Sequence, residues 1–123
     1  MGNKVLLVDD DPEILSLVQY TLESMGHQVQ ICDNGRDVLE TMRTYKPELV
    51  VLDVMLPGID GYSLANQMSE NPATKDTPVV VLSALEPSRT MFQKFPQVSA
   101  FLTKPFNTDD LMEAVKTALT KPK

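Results

Sequence analysis

The chain has 123 residues, 42% of them hydrophobic, with a single cysteine and a net charge of −6. That length suits one domain, residues 1–123, and the negative charge opposes binding to nucleic-acid phosphates, which depends on Lys and Arg displacing counterions. The longest apolar runs, 49–56 and 78–85, are too short to cross a bilayer, and residues 5–8 are too brief for a signal-peptide core. The protein is expected in the cytoplasm, with neither nucleic acid nor membrane among its partners.

Residues 4–8 read as a buried strand. Ile14, Leu15, Val18, Leu22 and Met25 then recur at the spacing of one helix face, with Asp11 placed to cap that helix, Pro12 at its first position and Gly26 closing it. Residues 28–32 form a second strand, and Val38, Leu39, Met42 and Tyr45 mark a second helix ending before Pro47. A third strand covers 48–53, and after a turn at Pro57-Gly58 a third helix carries Tyr62, Ala65 and Met68. Residues 78–83 make a fourth strand. A weaker helix over 88–95, with Met91, Phe92 and Phe95 as its apolar face, ends at Pro96. Residues 99–103 are a fifth strand, and Leu111, Met112, Val115 and Leu119 define a last helix capped by Asn107 or Thr108. Cys32, at the end of an apolar segment, reads as a buried thiol, and His27, beside a helix end, as a surface residue.

Alternating β and α elements with near-continuous aliphatic strands imply an α/β fold: a parallel sheet covered by helices on both faces, joined by right-handed crossovers. Ligands in such sheets sit beyond the carboxyl ends of the strands. Here those ends are Asp9-Asp10, Asp53, Ser83 and Lys104, and in a parallel sheet all five project from one edge. Single acids at strand ends are often caps, and a nearby Lys is often an ordinary ion pair. The imbalance of sign argues for more. Two carboxylates 4 Å apart repel by about 4 kcal/mol at an effective dielectric near 20, so three acids facing one Lys invite a divalent cation. An all-oxygen site suits Mg²⁺, with Mn²⁺ as the alternative, and Mg²⁺ readily meets a phosphoryl oxygen. The chemistry suggested is phosphoryl transfer to a carboxylate. Asp53, the acid that follows an aliphatic strand and precedes a tight loop, is the candidate acceptor, with Lys104 and the Ser83 hydroxyl neutralising charge.

The segments VLLVDDDPEIL, LVVLDVMLPGIDGYSL, VVVLSAL and FLTKPF, in this order and spacing, resemble the response-regulator receiver domains of two-component signalling, over essentially the whole chain. The resemblance implies a flavodoxin-like, three-layer (βα)5 sandwich with strand order 2-1-3-4-5. It implies Asp53 as phosphoacceptor, and Mg²⁺ held by Asp10, Asp53 and the backbone carbonyl of Met55, with Asp9 assisting through water. Lys104 would pair with the phosphoryl group, and Ser83 and Phe101 would form the switch pair. A cis bond between Lys104 and Pro105 is also implied. The expected partners are a histidine kinase or a histidine phosphotransfer protein, and a phosphorylation-dependent homodimer is a further implication. The domain is then a signalling module that assists its own phosphorylation and dephosphorylation, not an enzyme.

Three features depart from the family pattern. Phe101 lacks the hydroxyl of the tyrosine common there, and FQKFPQVSAF replaces a small, acidic run before the last strand. Met55 and Leu85, flanking the site, are apolar and cannot hold an attacking water, so slow loss of the phosphoryl group is expected. Three rival readings fit less well. An aspartate-nucleophile hydrolase of the haloacid dehalogenase type needs an acid where Met55 stands. A flavin- or dinucleotide-binding module needs a phosphate-accepting loop where the chain has DDDPE. A non-phosphorylated docking module would not need all five polar residues.

Overall fold

The computed structural model describes residues 3–53, 61–72, 74–83, 95, 97–104 and 106–120. The Pro57-Gly58 turn, Met55, Leu85, Pro96, the Lys104–Pro105 bond and all of the 88–95 helix except Phe95 lie outside the described residues. The elements in order are β1 (Lys4–Val8), α1 (Pro12–Ser24), β2 (Gln28–Cys32), α2 (Val38–Tyr45), β3 (Leu49–Asp53), α3 (Gly61–Glu70), β4 (Val79–Ser83), β5 (Val98–Thr103) and α4 (Thr108–Thr120).

The five strands form one parallel sheet in the order β2-β1-β3-β4-β5. Every residue of β3 and β4 is buried, as two-sided cover requires. Alternate strand residues serve opposite faces. Leu6, Val8, Val50, Leu52, Val79 and Val81 pack with α2 and α3, whereas Val5, Leu7, Leu49, Val51, Val80 and Leu82 pack with α1 and α4. Among the described residues no helix is long and apolar enough to cross a membrane.

Local chemistry sets the helix ends. Asp11 caps α1 through its carboxylate, with Pro12 at the first helical position. At the other end Gly26, at φ 93, lets its own N–H reach Glu23 O and the His27 N–H reach Leu22 O, the paired bonds of a Schellman motif. For α4 the cap is Asn107, whose Oδ1 accepts the Asp110 N–H at 2.7 Å. β5 begins at Val98, one residue earlier than the sequence suggests. A register shift between Val79 and Val80 leaves Ser99 as an extra residue, so Val98 still pairs with Val79. In the run preceding β5, Gln97 is buried and its Nε2 donates to Ala65 O of α3 at 3.2 Å.

His27 is not a free surface residue. It is half-buried, and its Nδ1 accepts the Asn3 N–H at 3.0 Å. Glu48 holds the same segment from the other side, accepting from Asn3 Nδ2 and from the Lys4 N–H. Cys32 is a buried thiol as expected, donating to Asn34 O, and burial pushes its pKa up.

Candidate functional site

The strand order places β1 and β3 side by side at the centre, with β4 and β5 following, so the residues after these strands meet at one edge. The chain continues β1 pairing for one residue, Asp9 N–H donating to Cys32 O, and the Asp9 side chain enters the protein fully buried. The next residue, Asp10, is exposed. Asp53 closes β3 opposite Leu82 and is also buried.

Lys104 joins them. Its main chain is anchored by its N–H donating to Ser83 O at 2.7 Å, and its Nζ lies 3.4 Å from Asp53 Oδ1 and 3.5 Å from Asp9 Oδ2. Asp9, Asp10 and Asp53 each bring a carboxylate oxygen within 4.8 Å of the others. Asp9 Oδ1 accepts the Asp11 N–H at 3.0 Å, while Asp9 Oδ2 is buried with no hydrogen-bond partner among the described residues. At 3.5 Å the Lys104 ammonium attracts that oxygen but is too distant for a good hydrogen bond. Among the described residues, three carboxylates against one ammonium leave a local excess of negative charge. An unsatisfied buried oxygen in an all-carboxylate set is a donor arrangement that fits Mg²⁺, and the acidic cluster meets that requirement.

Ser83, the last residue of β4, is fully buried and pairs with Thr103, next to Lys104. Phe101 lies opposite Val81 on β5, half-buried against the core cluster that includes Phe95. The sequence singled out Asp9, Asp10, Asp53, Ser83 and Lys104 from strand ends, and the fold gathers their backbones at one edge. What the strand-end argument missed is the hydrogen bond from the Asp11 amide to Asp9. Its signal is the D-x-D spacing, since an Asp side chain commonly takes the N–H two residues on.

Residues 5–116 match the family model of the response regulator receiver domain. The chain belongs to that family. It is 33% identical to the DNA-binding dual master transcriptional regulator RpaA of Synechocystis, over 96% of this chain and 49% of that protein. The chain spans about half the length of that protein and of the alkaline phosphatase synthesis transcriptional regulatory protein PhoP of Bacillus subtilis. Among solved structures, a response regulator from Chloroflexus aurantiacus matches with a TM-score of 0.92 at 28% identity, over 98% of this chain and 100% of that one. The receiver domain of the sensor histidine kinase PA1611 from Pseudomonas aeruginosa, at 23% identity and a TM-score of 0.83, shares the fold over 96% of this chain and 98% of that one. Its structure holds a magnesium ion coordinated in the active-site cleft. Receiver domains are signalling modules of two-component systems, and this domain is one of them.

Proposed function

We propose that Asp53 of this receiver domain accepts a phosphoryl group from the phosphohistidine of a histidine kinase or a histidine phosphotransfer protein. The observation that carries the reading is the convergence of two buried acids on one ammonium. Lys104 Nζ lies 3.4 Å from Asp53 and 3.5 Å from Asp9 at the carboxyl edge of a parallel sheet.

In the transfer, a carboxylate oxygen of Asp53 forms a bond to phosphorus as the phosphorus–nitrogen bond of the phosphohistidine breaks. The bonding pair leaves with the imidazole, which takes a proton, and the product is an acyl phosphate. Such a reaction depends on positioning and on charge neutralisation more than on nucleophile strength. Lys104, already between the two acids, supplies a mobile cation to the phosphoryl oxygens. Asp9, Asp10 and Asp53, with the backbone carbonyl of Met55, would hold Mg²⁺, or Mn²⁺ in its place. The bound cation would draw charge from the phosphoryl oxygens. The Ser83 hydroxyl and the Phe101 ring form the switch pair. A phosphoryl group on Asp53 that recruits the hydroxyl favours the state with the ring turned inward, a shift between existing conformations. The surface that changes comprises the 88–95 segment, β5 and α4, and in the phosphorylated form it pairs two copies of the domain. With apolar residues, Met55 and Leu85, at these two positions of the sequence, hydrolysis is slow.

Incubation with Mg²⁺ and acetyl phosphate tests the reading. One phosphoryl mass is expected on the protein, absent in Asp53→Asn, with no sustained turnover. Continued hydrolysis of a phosphate ester, or phosphorylation that survives Asp53→Asn, overturns it.

A further inference from the structure

The run Asp9-Asp10-Asp11-Pro12-Glu13 folds as two side-chain-to-backbone hydrogen bonds in series. Asp9 Oδ1 accepts the Asp11 N–H at 3.0 Å, and Asp11 Oδ1 accepts the Glu13 N–H at 2.9 Å. Each carboxylate fixes the residue two places ahead. Asp11 itself is extended, at φ −87 and ψ 114, while its carbonyl takes the Leu15 N–H at 2.9 Å and Pro12 begins the helix with its own φ restricted.

The second bond supports the first. The Asp11 amide faces Asp9 only while the peptide on its amino side keeps its orientation, and the cap to Glu13 helps to hold the Asp11 φ, one of the two torsions flanking that peptide. The amide bond matters because Asp9 has little else. Among the described residues it is the one hydrogen bond on the buried carboxylate, Oδ2 having none and Lys104 standing 3.5 Å off. Asp10 lies inside the turn that the first bond closes, between Asp9 and Asp11. Asp11 is exposed, its own Oδ1 is engaged by Glu13, and it is not among the three clustered acids, so it acts on the site through Asp9 and not as a ligand.

We infer that Asp11 is a positioning residue of the cation site: by capping Glu13 it holds its own amide on Asp9 Oδ1 and thereby fixes Asp9 Oδ2 toward Lys104 and the clustered acids. The inference rests on the proposed reading of Asp9, Asp10 and Asp53 as that site. A residue serving only as a helix cap would change the stability of α1 and leave cation affinity alone.

The test compares Asp11→Ala with Asp11→Asn, since both lose the charge and only Asn retains a capping oxygen. Val18→Ala, a buried position in the middle of α1, controls for general loss of helix stability. Mg²⁺ affinity is measured by titration calorimetry well below the melting range, and exchange of the residue-11 amide is measured by NMR in metal-free protein. Asp11→Ala is expected to bind Mg²⁺ about 10-fold more weakly, the usual scale for removing outer-shell support of a ligand, and to exchange that amide faster. Asp11→Asn stays close to wild type in both, and Val18→Ala keeps wild-type affinity. Equal weakening by Ala and Asn, a stability loss in Asp11→Ala with unchanged affinity, or weakening by Val18→Ala as large as that by Asp11→Ala overturns the inference. If the wild-type protein binds no Mg²⁺, it is the cation-site reading that fails. The exchange measurement still judges Asp11, because an amide left equally protected in Asp11→Ala overturns its positioning role.

Discussion

Among the described residues, the buried Asp9 Oδ2 has no hydrogen bond and is held by Coulomb attraction to an ammonium 3.5 Å away, an attraction that two other acids oppose. Repulsion of about 4 kcal/mol per pair at 4 Å and dielectric 20 is larger than one shared ammonium offsets for all three. The metal-free site is therefore strained by its own charge. Asp9→Asn is expected to stabilise metal-free protein by about 1 kcal/mol, raising the melting temperature by on the order of 4 °C, while abolishing phosphorylation, as stabilising changes at functional sites commonly do. Thermal melts in chelator read the first effect; a lower melting temperature would mean that the carboxylate is net favourable as it stands. His27 is the second residue whose ionisation enters stability. Its Nδ1 receives a backbone N–H, which can only donate, so that nitrogen must be unprotonated in the folded state. Burial pulls its pKa below the ordinary 6.5, Glu48 opposing and the positive amino terminus adding to the shift. Nearby, the Lys4 ammonium lies 5.4 Å over the Tyr45 ring, and Glu23 of α1 accepts from Gln19. The folded state thus holds the His27 proton less tightly than the unfolded chain does. As pH falls through the unfolded value near 6.5, stability declines, and the loss is complete below the folded pKa. His27→Gln, whose amide oxygen can accept the Asn3 N–H, should flatten this part of the pH profile in denaturant titrations between pH 7.5 and 5. An unchanged slope would show that other groups carry it. The sequence alone pointed to a surface position, because the partner lies 24 residues away and meets His27 only through the pairing of β1 with β2.

The ends of α1 and α2 are solved differently, and the difference decides how legible each was. Gly26 closes α1 at φ 93, and a glycine at the end of an apolar stripe is a readable stop. Helix α2 ends on Lys46 at φ 55 and ψ 61, a left-handed residue that nothing in its identity announces; only Pro47 marks the place. A non-glycine residue in that conformation costs about 1 kcal/mol. Lys46→Gly is accordingly expected to raise stability by up to about 1 kcal/mol, the gain being reduced by the greater freedom of glycine in the unfolded chain. Chemical denaturation is the direct measurement, and a loss of stability would show that the Lys46 side chain contributes more than its backbone strain removes. The strands follow the same logic. β3 and β4 are legible because burial on both faces demands unbroken aliphatic runs. β5 is half-buried along its whole length and carries an inserted Ser99, so neither alternation nor continuity marked its first residue. Gln97, in the turn before β5, is polar in sequence yet buried in the fold, and its bond to α3 spans 32 residues of sequence and so left no local signal.

Strand order converts separate strand ends into one site. With β1 and β3 adjacent at the centre, the acids after them meet directly, and β4 and β5 bring Ser83 and Lys104 from the neighbouring side of the sheet. That convergence was readable because a charge at the end of an aliphatic run is costly to bury without partners, and a parallel sheet brings the partners to the same edge. Which atoms would be buried was not, since Asp9 and Asp10 are neighbours of one type and the fold hides one and exposes the other. The exposure of Asp10 allows cation binding to be separated from folding. A ligand that binds only the folded chain stabilises it by RT ln(1 + [L]/Kd), about 2.7 kcal/mol at a hundredfold excess over Kd, which corresponds to a rise on the order of 8 °C in melting temperature for a chain of this size. In a molecule with net charge −6, any salt also relieves repulsion, so the comparison must be made against NaCl of equal ionic strength. Under that control Mg²⁺ should raise the melting temperature of the wild type. Asp10→Ala should melt at or slightly above the wild type in chelator, because an exposed side chain contributes little to packing and its loss relieves part of the same repulsion, screened by solvent, yet lose the Mg²⁺-dependent rise. A wild type indifferent to Mg²⁺, or an Asp10→Ala protein that responds in full, would mean that the acidic edge of the sheet is not held together by a cation.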